Sequence, residues 1–168
     1  PEDLQELTFV SDPQINPQGD RILFTHKRIG AKNAYETSLW MAPTRGGEPK
    51  PFTHGPRDGH GRWSADGGTI AFISSRDETS PQIHVMPADG GEARALTSLP
   101  EGSLTDIVWS PSGRHIAFSF REREAEWTKA AKKEREASGA TPPPRVLHNT
   151  WYRLDGDGYF NAERYKLY

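Results

Sequence analysis

The chain repeats one phrase three times. "NPQGDRILF" starts at Asn16, "SADGGTIAF" at Ser64 and "SPSGRHIAF" at Ser110. Aligned on the large apolar residue before each phrase, Ile15, Trp63 and Trp109 coincide, at intervals of 48 and 46 residues. Self-similarity at such a period marks a solenoid, a propeller or an array, so it narrows the fold before any single residue does. Each copy reads as an apolar residue, Asn or Ser, a turn with Gly, then an apolar run. The turns are "PQGD" at Pro17, "ADGG" at Ala65 and "PSGR" at Pro111. Proline presets φ for the first turn position, and glycine supplies the positive φ that other residues resist. The runs after the turns are β-rich and one strand long. Each phrase is therefore expected to be a strand, a tight turn and a returning strand.

A second phrase repeats as well. "LWMAPTRGGEPKPFT", Leu39 to Thr53, matches "IHVMPADGGEARALT", Ile83 to Thr97, at an offset of 44 with no gap. Two hairpins in roughly 45 residues make four antiparallel strands, the period and strand count of one propeller blade. Two hairpins per repeat also suit a sandwich, but a sandwich rarely keeps one turn chemistry at a fixed interval. The expected fold is all-β: a β-propeller of four-stranded blades, with blade 1 at about 12–54, blade 2 at about 58–98 and blade 3 at about 104–168. A closed propeller has about 4–8 blades, and at this period 168 residues give fewer than four. The ring is expected to be incomplete in this chain and continued by further polypeptide. Open sheet edges invite pairing with other chains, so these residues alone are expected to be unstable or aggregated.

Composition excludes several function classes. Trp, Tyr and Phe make up 10% of the residues, which argues against a disordered chain. A formal net charge of -2 gives no electrostatic footprint for nucleic acid. The absence of cysteine removes disulfides, thiol nucleophiles and thiolate metal sites, and fits a cytoplasmic setting. No run approaches the ~18 apolar residues of a membrane span, and no signal peptide is recognisable, although the first residue is Pro rather than Met. No nucleic-acid or membrane partner and no cofactor are expected.

The third copy departs from the pattern within a charged insertion at 121–144. Of the fifteen residues Glu122 to Glu136, ten are charged, five of each sign, and only Trp127 is a large apolar residue. The composition favours helix, and Glu126 with Lys129 has the spacing of a pair across a turn. Without an apolar stripe the segment cannot pack along its length. It reads as a solvated helix or mobile loop; a lid or edge element touching another domain is the alternative. "ASGATPPP", Ala137 to Pro144, is a stiff exit. Two β-rich runs then flank Asp155-Gly156-Asp157-Gly158, a hairpin signature. A calcium loop needs further oxygen ligands in register, and none continues beyond Asp157.

A search for chemistry returns little. The G-x-S-x-G elbow, the H-E-x-x-H zinc motif, the P-loop and the dinucleotide fingerprint are all missing. "DGHG" at Asp58 and "ADGG" at Ala65 contain glycines but read as turns between strands, so a phosphate cradle is not expected. His26, His54, His60, His84, His115 and His148 are scattered, with no pair at helical i, i+4 spacing. No catalytic or metal-ligating residue is assigned, and substrate-binding residues stay open.

"WSADGGTIAF" and "WSPSGRHIAF", with "MPADGGEARALT", resemble the TolB-like propeller repeat. "EDLQELTFVSDPQINPQGDRILF", Glu2 to Phe24, and "PPPRVLHNTWYRLDGDGYF" after the insertion resemble the propeller of acylaminoacyl-peptidase-type members of the prolyl oligopeptidase (S9) family of serine peptidases. The resemblance covers the whole chain. It implies a propeller joined to a C-terminal α/β-hydrolase domain that holds a Ser-Asp-His triad, with the propeller admitting short peptides and excluding folded proteins. The implied activity is release of N-acylated residues or short peptides from peptide N-termini. The implied partners are the remaining blades and the hydrolase domain of the same protein, with an oligomer left open. No triad residue maps onto this chain. "EREAEW", Glu122 to Trp127, does not match the paired glutamates of dipeptidyl members. The alternative is a non-enzymatic TolB-like propeller that binds a protein partner.

Overall fold

The computed structural model describes residues 7–76, 80–144, 146, 153–154, 158–159 and 163–168. The three repeated turns close in one way. Asn16, Ser64 and Ser110 donate their backbone N–H to the carbonyls of Arg21, Thr69 and His115 at 3.0, 2.8 and 2.8 Å. Gly19, Gly67 and Gly113 hold φ of 75°, 73° and 68° and donate back to the same Asn or Ser carbonyl at 2.9 Å. The left-handed region disfavours a Cβ, which is why glycine recurs there. The side chain of the leading residue finishes the turn: Asn16 Oδ1, Ser64 Oγ and Ser110 Oγ accept the backbone N–H of Arg21, Thr69 and His115, at or just before the returning strand. In the second turn Asp66 accepts from the Ser64 hydroxyl and from the Gly68 N–H, which holds its carboxyl below the usual range.

These hairpins assemble into antiparallel sheets. The first contains β1 (Thr8–Ile15), β2 (Arg21–Ile29), β3 (Tyr35–Pro43) and β4 (Lys50–Pro51), in that spatial order. The second repeats it with β5 (Asp58–Trp63), β6 (Thr69–Ser74), β7 (Gln82–Pro87) and β8 (Arg94–Ala95). The third pairs β9 (Gly102–Trp109) with β10 (Ile116–Glu122), and β10 with β13 (Lys166–Leu167). The fourth strands are only two residues long, and a threonine completes each. Thr53 Oγ1 accepts the Leu39 N–H and Thr97 Oγ1 accepts the Ile83 N–H, both at 3.0 Å. The second phrase of the repeat thus ends on Thr because a backbone donor inside the sheet needs an acceptor there.

The core lies between sheets. Leu23 and Leu39 of the first sheet pack with Ile70, Phe72, Met86 and Ala88 of the second. Ala71, Ile73, Ile83 and Val85 of the second pack with Leu104, Ile107 and Phe120 of the third. Alternate residues of β6 therefore serve opposite neighbours. That explains why Ile70 to Ser74 are buried without a break, whereas a half-exposed strand would alternate. The architecture is all-β: two four-stranded blades and, among the described residues, a three-stranded third sheet in an incomplete propeller.

The insertion contains a helix. Thr128 caps α1 (Lys129–Ser138) by accepting the Ala131 N–H, and Gly139 ends it at φ 69°. No residue of α1 is buried, as expected without an apolar stripe. Lys132 and Glu136 pair along its surface at 3.8 Å. At its base, half-buried Arg123 and the Glu124 N–H both meet Glu163, whose side chain is largely covered. The strands β11 (Arg153–Leu154) and β12 (Gly158–Tyr159) pair antiparallel around the DGDG stretch. Asp155 to Asp157, like His148, lie outside the described residues.

Candidate functional site

The first strands of the three sheets pack in sequence, β1 beside β5 and β5 beside β9. Each carries the same defect. Pairing shifts register at Ser11/Gln14, at Gly59/Arg62, and opposite Ala117/Ser119. The bulged residues Asp12, His60 and Asp106 take left-handed φ of 53°, 55° and 53°. All three stand three positions before the aligned apolar residue. A bulge bends its strand and re-aims a side chain. Here it turns the following residue, Gly61 or Ile107, into the neighbouring sheet.

That turn creates a size match. An added Cβ on Gly61 would come within 2.5 Å of Leu23 and 3.1 Å of Leu39. At the next junction Ile107 replaces Gly61, and Ala71 replaces Leu23. A large residue meets a small one at both junctions, with the roles exchanged, as close packing requires.

The aligned tryptophans lock the same junctions. Trp63 Nε1 donates to the Gln14 carbonyl at 3.1 Å, and Trp109 Nε1 donates to the Arg62 carbonyl at 3.0 Å. Gln14 and Arg62 hold one repeat position, immediately before Ile15 and Trp63. Between these bonds, Arg62 pairs with Asp12 across the first junction at 2.7 Å, with both side chains about three-quarters covered. Trp63→Phe and Trp109→Phe should each cost about 1 kcal/mol, the net worth of one neutral hydrogen bond. Chemical-denaturation midpoints of the two variants would check this, and two unchanged midpoints would show the indole bonds to be idle.

One charge is sealed in. Asp58 is fully buried and pairs with Arg76 at 2.8 Å. Its Oδ1 has no hydrogen-bond partner among the described residues. The equivalent positions are Val10 and Leu104. Gly55 lies so close over both carboxylate oxygens that a Cβ there would collide with them.

Two clefts are lined by second, third and fourth strands and the turns beside them. The smaller, about 210 Å³, is lined by His26, Arg28, Glu36, Ser38, Trp40 and His54 among others. The larger is an open groove of about 990 Å³ between the first and second sheets, with Met41, Phe52, Met86 and Ala88 as its apolar floor. The exposed Arg21–Asp89 pair crosses its rim at 2.9 Å.

Among the described residues the histidines do not converge on a single site. His26 packs on Trp40 at 4.7 Å, and His84 is buried against Phe72 at 5.7 Å. His54 and His115 are exposed, and His60 occupies the bulge. His26 and His54 share the smaller cleft. Among the described residues no three His, Asp or Glu side chains gather as a metal site, and no helix is long and apolar enough to cross a membrane. Sequence reasoning missed the bulge row, the Gly61/Ile107 exchange and Asp58. The first two were visible only as a column of the repeat, three and two positions before the aligned residue.

No protein-family model matches the chain. An uncharacterised peptidase, YuxL, of Bacillus subtilis (strain 168) is 34% identical over 159 residues, which is 94% of this chain and 24% of that protein. The chain thus spans about a quarter of the length of this curated relative. The fold superposes on acylaminoacyl peptidase from Pyrococcus horikoshii with a TM-score of 0.70 at 17% identity, covering 98% of this chain and 23% of the other. A putative TolB from Agrobacterium tumefaciens aligns at 25% identity and a TM-score of 0.52, over 67% of this chain and 38% of the other. The chain carries the propeller fold of the part of acylaminoacyl peptidase on which it superposes, and it aligns with about a quarter of the YuxL peptidase.

Proposed function

We propose that these residues are part of a propeller that gates and scaffolds a serine peptidase, one that releases N-acylated amino acids or short peptides from peptide N-termini. The alignment of nearly the whole chain with a peptidase, joined to the superposition on acylaminoacyl peptidase, carries this reading. Catalysis then belongs to a Ser-Asp-His triad in a separate hydrolase domain of the same polypeptide. The blades act by sterics and need no reactive side chain. Three first strands packed in sequence suit the wall of an axial passage. A cytoplasmic location is part of the reading.

The likeness to a TolB structure favours a second reading, a non-enzymatic propeller that binds a protein. Assay of the whole protein separates the two. It is expected to hydrolyse a chromogenic acyl-amino-acid substrate and to lose this activity to a serine-directed phosphonate. Inertness toward the substrate would leave the binding propeller standing and remove the peptidase.

A further inference from the structure

We propose that the groove between the first and second sheets binds the C-terminal end of an apolar peptide, with the terminal carboxylate held by Arg76. The site is separate from any catalytic centre and does not rest on the peptidase reading above.

The first junction departs from the repeat at three places that act together. The offset of 44 that matches Leu39 with Ile83 also matches Ser38 with Gln82 and Gly55 with Leu99. At the second junction Gln82 clamps the segment after β8. Its amide nitrogen donates to the Leu99 carbonyl at 2.9 Å, and its amide oxygen accepts the Leu99 N–H at 2.7 Å. Leu99 packs against the core between the second and third sheets. Ser38 is too short for that clamp, and its hydroxyl accepts the Trp40 indole N–H at 3.1 Å. Gly55 brings no side chain to the space, and the buried Asp58 carboxylate forbids one. Val10 and Leu104 hold the place of Asp58 in the other sheets. A buried charge is costly, and local rules are broken in this way at functional places. Here the three departures leave the junction open.

The groove of about 990 Å³ runs on into a cavity of about 530 Å³; the two share Phe52, His54, Met86 and Gly91. Both walls belong to this chain, and the floor is continuous with the core between the first two sheets. Met41 and Met86, the chain's two methionines, lie on that floor, and flexible thioethers adapt to varied apolar side chains. The exposed Arg21–Asp89 pair stands at one end and Arg76 at the other. Between them lies the length of β7, six residues and roughly 20 Å. That is room for several extended residues, and more than one amino acid fills. Arg76 is the polar anchor. The Asp58 carboxylate holds its Nη2 at 2.8 Å and the Ser74 hydroxyl its Nε at 3.0 Å, which fixes the guanidinium plane. Its Nη1 has no acceptor among the described residues. An oriented guanidinium with donors to spare recognises a carboxylate. His54 lines the same cavity and adds a ring nitrogen. Exposed Glu92 lines it too and repels a second negative charge, so apolar residues precede the carboxylate.

Fluorescence polarisation on the whole polypeptide tests this, after treatment with the serine-directed phosphonate to block binding at a peptidase centre. The probe is the peptide Ala-Ala-Leu-Leu-Phe with fluorescein on its N-terminus, compared with the same peptide ending in a carboxamide. The free acid is expected to bind about tenfold more tightly than the amide, the worth of one charge-assisted hydrogen bond. Asp58→Leu combined with Arg76→Met is expected to bind both peptides alike, at the affinity of the amide. If that double variant does not fold, Arg76→Lys decides: it keeps the charge and loses the fork, so the preference should fall to about threefold or less. Equal affinity for acid and amide before substitution, or no binding of either, would overturn the proposal. A preference for the acid that survives in the variant puts the carboxylate on another residue and also overturns it. N-acetylphenylalanine displacing the probe as well as the unlabelled pentapeptide does would identify a single amino acid as the ligand and overturn the choice of a peptide. The peptidase reading stands or falls separately, on the chromogenic assay.

Discussion

Gly61→Ile should destabilise the propeller by about 1–3 kcal/mol, the usual penalty for forcing methylenes into a packed core. Leu23→Ala should cost about 2–5 kcal/mol by leaving a cavity. Combined, the two should cost far less than their sum, because the pair then reproduces the Ala71–Ile107 arrangement of the next junction. The clash has a defined origin: a Cβ on Gly61 falls 2.5 Å from Leu23, and the added side chain occupies the volume that Leu23 vacates. Gly61 is not in a left-handed conformation, so the substitution brings no backbone strain of that kind. Urea midpoints for the single and double variants give the coupling energy directly. Additive losses would mean that the two junctions are not built on one size rule.

The second large effect concerns the sealed charge. Arg76→Ala is expected to cost about 3 kcal/mol, at the low end for breaking a buried ion pair because Arg76 is itself about a third exposed. Most of that loss comes from leaving Asp58 buried without a counter-charge, not from the attraction forgone. Replacing both partners, Asp58→Leu with Arg76→Met, should recover most of it, since apolar groups of similar volume often substitute for a buried pair at no net cost. Leu104 already fills the equivalent place in the third sheet, 7% exposed. Thermal or urea unfolding of the three variants decides it. A double variant as unstable as Arg76→Ala would show that the Asp58 carboxylate is needed for something other than its partner.

The local devices were readable because they recur. Glycines at 19, 67 and 113 and at 46, 47, 90 and 91 stand where left-handed φ is required, and each was marked by its turn phrase. The charged insertion announced its solvated helix by lacking an apolar stripe. The bulge was harder to see. Asp12, His60 and Asp106 are not glycine, and nothing in their immediate neighbours signals φ above zero. Asp58 was invisible for a different reason: a carboxylate in a polar phrase looks solvated until another sheet covers it. The late return of β13 to β10, 44 residues after Glu122, also lay beyond local rules, since nothing near Lys166 names its partner strand.

From the sequence alone came the unit: a four-stranded blade, its turns, its period and its repetition, because turn chemistry and strand alternation act over a few residues and recur with the repeat. Tertiary structure decided how units join, namely which face of each sheet is covered, which residue is large where its neighbour is small, and which carbonyl receives each indole. Those choices depend on atoms nearly fifty residues apart meeting at van der Waals distance, and only the packed fold brings them there.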